Sequence, residues 1–136
     1  LVASDAKTVV IAFRGTEPTV PADIVTDINI FSRRTREGRV HAGFHQSVSD
    51  LYELAIAEAV RQGAQDKVVW VTGHSLGGAM AMVFSHRVTI ENKMHPDGIV
   101  TFGQPLAVDR KICQYMIDEF KQNYVRFVNQ WDPITR

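Results

Sequence analysis

A serine with glycines two residues to either side, Gly73-His74-Ser75-Leu76-Gly77, is the part of this chain that most directly suggests covalent chemistry. A serine hydroxyl attacks a carbonyl carbon when a base takes its proton and nearby donors hold the oxyanion that forms. The pentapeptide alone is short, so its surroundings carry the weight. It follows a β-branched run at 67–72 and precedes an apolar segment from Leu76 to about Val88, so strand, sharp turn and helix meet at Ser75. In such a turn the backbone two residues before the serine nearly touches the backbone two residues after it. Side chains at Gly73 and Gly77 would collide there, and Ser75 itself is expected in backbone geometry that costs about 1–3 kcal/mol. Gly77 and Gly78 each weaken a helix start by about 1 kcal/mol relative to alanine. With Ala79 and Ala81 following, that loss points to a helix pressed close against a sheet. The competing reading is a glycine-rich turn that holds phosphate at a helix N-terminus. It lacks the P-loop lysine, and the glycine spacing of a dinucleotide fingerprint is also missing. Ser75 is therefore the candidate nucleophile.

The elements that must position this serine can be traced along the chain. Residues 1–3 and 8–13 read as two short strands around a polar turn, most simply a hairpin. After Arg14-Gly15-Thr16 the segment 17–31 opens with two prolines, and its apolar residues Ile24, Ile28 and Phe31 suit a short amphipathic helix entered through Pro21. Residues 32–39 read as a polar, basic loop before a short strand at 39–42. A helix is expected over 45–62, with Phe44, Val48, Leu51, Tyr52, Ala55, Ala59 and Val60 on its template and Gly63 placed to stop it. The run 67–72 shows no polar alternation, the pattern of a strand buried on both faces. A helix from 76 to about 88 follows, then a strand at 98–102 and a helix near 109–122 with Ile112, Met116 and Phe120 inward. A last strand spans 124–129. This alternation implies right-handed crossovers and a mostly parallel sheet with flanking helices, an α/β fold.

Several segments together resemble the class 3 lipases, the α/β-hydrolase family of the fungal triacylglycerol lipases and their bacterial and plant relatives. They are VVIAFRGT at 9–16, VHAGF at 40–44, VTGHSLGGAMA at 71–81, TFGQP at 101–105 and VNQWDPITR at 128–136. The resemblance implies that Ser75 is the nucleophile and Asp132 the triad acid, with Thr16 and the backbone N–H of Leu76 forming the oxyanion hole. Each role has a physical reading. Leu76 is the first residue past the serine, so its N–H points into the mouth of the turn. Thr16 ends a strand that would deliver its hydroxyl to the same sheet edge, the alternative being a plain turn threonine. Asp132 follows the last strand at the carboxyl edge, where open α/β sheets place their ligands, and Pro133 keeps it extended. An ordinary Asp-Pro turn is its alternative reading. Asp97 and Asp109 compete for the acid role, but Asp97 precedes its strand and Asp109 reads as a helix cap. The chain departs from the family where 17–31 carries no lid tryptophan, and where Leu106-Ala107-Val108 follows TFGQP in place of arginine and glycine.

The remaining candidates have quieter readings. His41 and His45 lie four apart, but Gly43 and a change from strand to helix between them spoil the geometry of a metal pair. His41 is expected to buttress the region behind the nucleophile, His74 to sit beside the serine facing elsewhere, and His86 and His95 to lie at the surface. Arg33, Arg34, Arg36 and Arg39 could meet anionic headgroups or simply form a solvated loop beside Glu37. Cys113, on an apolar helical face, reads as core, as does Trp70, while Trp131 could line an acyl pocket.

Fifteen basic and fifteen acidic residues balance, which argues against a nucleic-acid partner held by a broad positive face. One cysteine forbids a disulfide within the chain. No stretch approaches the apolar length of a membrane span, and no signal peptide is seen, so secreted and cytoplasmic locations both remain open. No histidine follows Asp132. The expected reading is that 1–136 is the central part of one lipase domain, begun inside a hairpin at Leu1, with the triad histidine beyond residue 136. The function expected is hydrolysis of acyl-lipid esters through an acyl-enzyme, without cofactor or metal, with a lipid–water interface as one place where the substrate could be met. A thioesterase, phospholipase or small-ester esterase is the alternative within this chemistry. A non-catalytic lipid-binding or scaffold relative lacking the histidine is the alternative outside it.

Overall fold

A computed structural model describes residues 1–15 and 32–129 of the chain. The helix expected within 17–31 and the residues Thr16, Trp131 and Asp132 lie outside the described residues. Strands β1 (Val2–Ser4) and β2 (Thr8–Phe13) form the expected antiparallel hairpin. Its turn is held by Asp5, whose carboxylate accepts from the backbone N–H groups of Lys7 and Thr8, both at 2.8 Å. Next come β3 (Ser32–Arg34) and β4 (Arg39–His41), then helix α1 (Ala42–Arg61). Strand β5 (Val68–His74) leads into α2 (Leu76–Ile90), and β6 (Gly98–Phe102) into α3 (Arg110–Phe120). A short 3-10 turn at Lys121–Asn123 then delivers β7 (Tyr124–Phe127).

The main sheet runs in the order β1-β2-β5-β6-β7, and every neighbouring pair except β1/β2 is parallel. One face of this sheet presents Val9, Ile11, Phe13, Val69, Val71, Ile99 and Thr101, all buried. Helix α2 packs directly on it, with the Phe84 ring 5.1 Å from that of Phe13. Because α2 is apolar on all sides it must be covered on all sides. Helix α1 covers one flank through Tyr52, whose ring lies 5.8 Å from Phe84, and α3 the other through Tyr115 against His86. The other face of the sheet presents Val10, Ala12, Trp70, Thr72 and Val100, each half-buried, and Phe102 and Phe127, both exposed. The expectation that β5 is buried on both faces is thus corrected. All three described helices lie on one side, and an uninterrupted β-branched run does not reveal how many of its faces are covered.

Helix boundaries follow local chemistry. α1 starts earlier than the periodicity suggests because His41 acts as its N-cap, its Nδ1 accepting from the Phe44 N–H. It ends where Gly63 takes φ +91° and donates its N–H to Val60, the left-handed stop that glycine alone adopts without strain. Of the residues on its template, Phe44, Val48, Tyr52 and Ala59 are buried, while Leu51 and Val60 are exposed. Ile112, Met116 and Phe120 turn inward on α3 as expected. Asp109 caps that helix, accepting from Ile112 N–H at 3.1 Å. Gly98 is required by contact, since a Cβ there would lie inside the Trp70 ring on the adjacent strand.

Two polar features accompany this core, one at its edge and one inside it. The Tyr52 hydroxyl donates to Glu91 at 2.8 Å, and the Arg87 guanidinium lies 3.8 Å over the Tyr52 ring while also bonding Glu91. His86, expected at the surface, is 3% exposed, and its Nε2 has no hydrogen-bond partner among the described residues. The correction has a simple cause: His86 sits on the flank of α2 that α3 covers, and its ring meets Tyr115 edge-on at 5.8 Å. Burial holds its pKa below 6.5, with only partial opposition from the charges of Glu37 and Asp109.

The folded form therefore keeps His86 neutral at a pH where the unfolded chain protonates it, and stability falls as pH drops through and below about 6.5. His45 is lowered in the same sense by partial burial and the nearby Arg33 and Arg87 charges. Replacing His86 with Leu is expected to narrow the difference in urea-unfolding free energy between pH 7.5 and pH 5. An unchanged pH dependence in this variant would show that His86 does not contribute.

Candidate functional site

The site forms where β5 gives way to α2. Ser75 is the single residue between them, with φ 54° and ψ −126°, a conformation that costs about 1–3 kcal/mol for a residue with a side chain. The strain expected from the sequence is present. The turn is held open by three close approaches. A Cβ on Gly73 would overlap the Gly77 carbonyl and lie 2.7 Å from Gly78 N. A Cβ on Gly77 would overlap the Phe13 carbonyl and come within 2.7 Å of Gly15 N. A Cβ on Gly15 would meet the His74 carbonyl at 2.5 Å. Three chain segments therefore pass one another backbone to backbone, and the serine stands at their crossing.

The Ser75 backbone is fully engaged. Its N–H donates to the Phe102 carbonyl at 2.9 Å, and its own carbonyl accepts from Gly78 N–H at 2.9 Å and Ala79 N–H at 3.2 Å. Its side chain does not cap the helix that it begins. An N-cap serine ordinarily turns its oxygen back to the helix, so the Ser75 hydroxyl is not committed to the usual structural task. Leu76 opens the helix, where the first N–H groups have no partner within the helix and point outward from its positive end. Both Ser75 and Leu76 are partly accessible.

Neighbouring segments converge on the same edge. Gly15, the residue before Thr16, abuts the His74 carbonyl and Gly77 N. Gly103 N–H donates to the Phe127 carbonyl at 2.8 Å, tying the carboxyl end of β7 to the loop after β6, and Phe102 and Phe127 stack with centroids 5.2 Å apart. The loop after β6 is pinned through Gln104, a buried residue that sequence reasoning did not single out. Its Oε1 accepts from the Thr101 hydroxyl at 2.7 Å, and its carbonyl accepts from Arg126 at 2.6 Å. The signal was present in the TFGQP segment, where a buried amide can join strand to loop. The departure at 106–108 is accommodated: Ala107 is buried and its carbonyl accepts from His41 N–H, Val108 bridges Val40, and Leu106 is exposed.

The residues read as rivals or bystanders take other tasks. Asp97 accepts from Val69 N–H at 2.7 Å, fastening β5 to the start of β6. For Asp109, burial raises the carboxyl pKa. The N–H groups of Ile112, Arg39 and Lys111 outweigh that and hold it below 3.8. His41 caps α1, and His45 lies 3.5 Å from the Ser49 hydroxyl. His74 is exposed and His95 pairs with Glu119 at 2.8 Å. Cys113 is half-buried. Among the described residues no group of three His, Cys, Asp or Glu is arranged to hold a metal, and no helix is long and apolar enough to cross a membrane.

Comparison with known proteins agrees with this geometry. The family model described as Lipase (class 3) matches residues 10–136. The chain belongs to the class 3 lipase family. Among curated proteins the chain is similar to Lipase A of Sodiomyces alcalophilus, 29% identical over 77% of this chain and 25% of that protein. A triacylglycerol lipase of Arabidopsis thaliana is 26% identical over 90% of this chain and 32% of its own length. The chain thus spans between a quarter and a third of these relatives. Among solved structures, the triacylglyceride lipase of Rhizomucor miehei superposes with a TM-score of 0.79 at 26% identity, covering 98% of this chain and 53% of that one. A lipase from Rhizopus microsporus var. chinensis gives 0.73 at 28% identity, over 98% and 49%. The fold is that of the α/β-hydrolases, as the sequence implied.

Gly73→Ala and Gly77→Ala would each push a methyl group into backbone that no rotamer change can move. Each is expected to lower the unfolding free energy by about 2 kcal/mol or more, read from thermal or urea melts. A loss below about 0.5 kcal/mol would show that the crossing is looser than the structure describes.

Proposed function

We propose that this chain carries the nucleophile and oxyanion-binding part of a serine ester hydrolase acting on acyl lipids, its mechanism passing through an acyl-enzyme. The observation that carries the reading is Ser75 itself, in strained left-handed geometry at a strand-to-helix turn with its hydroxyl not used to cap the helix. Strain of this kind persists where the surrounding structure imposes it and clusters at working sites. The family membership, and relatives named as triacylglycerol lipases, support the substrate class.

In the proposed reaction the Ser75 Oγ attacks the ester carbonyl while a histidine base takes its proton. The resulting oxyanion is held by the Leu76 N–H, reinforced by the positive end of α2, and by the Thr16 hydroxyl. The histidine returns the proton to the departing alcohol, leaving the acyl group on Ser75. Water activated by the same histidine then releases the fatty acid and restores the serine. Asp132 orients the histidine and stabilises its charged form. That histidine is proposed to come from beyond residue 136, in keeping with the chain's spanning only a quarter to a third of its curated relatives. No cofactor or metal enters these steps.

Hydrolysis of p-nitrophenyl butyrate and laurate by the protein extended past residue 136 to include that histidine provides the test. Ser75→Ala is expected to reduce kcat by about 10⁴–10⁶ and Thr16→Val by about 10²–10³, while Asp132→Asn should cost about 10⁴. Equal rates for the parent protein and Ser75→Ala would remove Ser75 from the mechanism. Faster turnover of the thioester analogue than of the laurate ester would favour a thioesterase.

A further inference from the structure

The basic segment read from the sequence as a loop is a hairpin, and its position gives it a second possible use. β3 and β4 pair in a register that sets Arg34 directly across from Arg39. Like charges in that position repel, and neither is paired with an acid among the described residues. The turn between them is closed by Thr35, which donates its N–H to the Gly38 carbonyl at 2.7 Å, and it projects Arg36 outward. The hairpin is fastened to the start of α3 by two backbone-level bonds, Arg39 N–H to the Asp109 carboxylate at 2.8 Å and Asp109 N–H to the Arg39 carbonyl at 2.9 Å. This brings the exposed Arg110 and Lys111 beside it.

Five cations, Arg34, Arg36, Arg39, Arg110 and Lys111, outnumber the two acids of these segments, Glu37 and Asp109, the latter meeting the Lys111 charge. Asp109 directs its oxygens to backbone N–H groups, and Glu37 is half-buried. Beside the cluster stands Leu106, 55% exposed, on the loop whose next residues Ala107 and Val108 are bonded to β4. That loop starts at Phe102, which accepts the Ser75 N–H. The loop that carries Leu106 thus leaves the strand end that bonds the serine.

We propose that Arg34, Arg36, Arg39, Arg110 and Lys111, with Leu106 among them, form a docking surface for an anionic lipid surface. It would seat the molecule with the Ser75 edge toward its substrate, and so this inference rests on the function proposed above. The chemistry is that of a membrane-surface contact, cations for headgroups and an apolar side chain for the acyl boundary. A nucleic-acid face would instead offer aromatic platforms for stacking, and this patch centres on a leucine.

Binding is separated from hydrolysis by working with the full chain carrying Ser75→Ala and measuring co-sedimentation with vesicles. Vesicles of phosphatidylcholine with 30% phosphatidylglycerol should bind more tightly than phosphatidylcholine alone, and added NaCl should weaken the difference. Each basic residue near an anionic surface is worth about fivefold in partition. Replacing Arg34, Arg39, Arg110 and Lys111 together with Gln is therefore expected to lower binding to the anionic vesicles by about 10²–10³-fold. The same four changes placed in the Ser75-containing protein should leave hydrolysis of soluble p-nitrophenyl butyrate unchanged, which also shows that the variant is folded. Leu106→Ser should weaken binding to both vesicle types. Undiminished anionic-vesicle binding by the quadruple variant would overturn the proposal, as would tighter binding to a heparin fragment than to the vesicles. Vesicle binding that follows these expectations in a protein with no esterase activity would leave the docking surface standing and defeat the catalytic reading.

Discussion

The rest of the structure depends on a contact between backbones. At Gly73 and Gly77 the end of β5 and the start of α2 pass so closely that neither position has room for a methyl group, and β2 passes the same point through Phe13 and Gly15. This closeness is what turns the chain within one residue and forces Ser75 into positive φ. It also fixes how α2 lies on the sheet, and hence which flanks α1 and α3 must cover. The energy that holds the strain comes from the apolar packing of α2, where Ala79, Ala81, Phe84 and Val88 are fully buried. Core and site are one construction, with the helix that supplies burial also supplying the outward N–H groups of its first turn.

Around that crossing, a few polar side chains do the fastening. Asp97 and Asp109 each connect segments distant in sequence, and each does so by accepting from a backbone N–H. Such bonds are insensitive to what the partner's side chain is. The loop after β6 can therefore carry Leu106-Ala107-Val108 in place of the family's arginine and glycine without losing its path. The side chains left over by this arrangement, Leu106 and the arginines of the hairpin, are then free to vary in character.

Much of this was legible in the residues. The turn at Ser75 could be read because steric exclusion leaves a spaced pattern of glycines, and the order of strands and helices because their periods differ. The inward face of α3 was readable for the same reason. Other features left no such trace. The hairpin β3/β4 is polar along β3, so no alternation marks it as a strand, and its existence depends on Asp109, seventy residues away in sequence from Arg39. His86 looks like a surface residue because only the arrival of α3 buries it. The half-covered second face of β5 was misjudged because a β-branched run looks the same whether one face or both are packed. The roles proposed for Thr16 and Asp132 came from the resemblance, since an isolated turn threonine and an Asp-Pro pair carry no signal of their own.

Trp70 and Gly98 form a different kind of pair, an indole laid over the bare backbone of the neighbouring strand. Neither position can change freely while the other stays as it is. A larger residue at 98 becomes acceptable only after the indole has given way to something smaller, and a smaller residue at 70 leaves a gap over the glycine until 98 fills it. Divergence at this point of the sheet is thus constrained in its order as well as its outcome, and related chains should hold these two positions as a unit: large with glycine, or two residues of middling size.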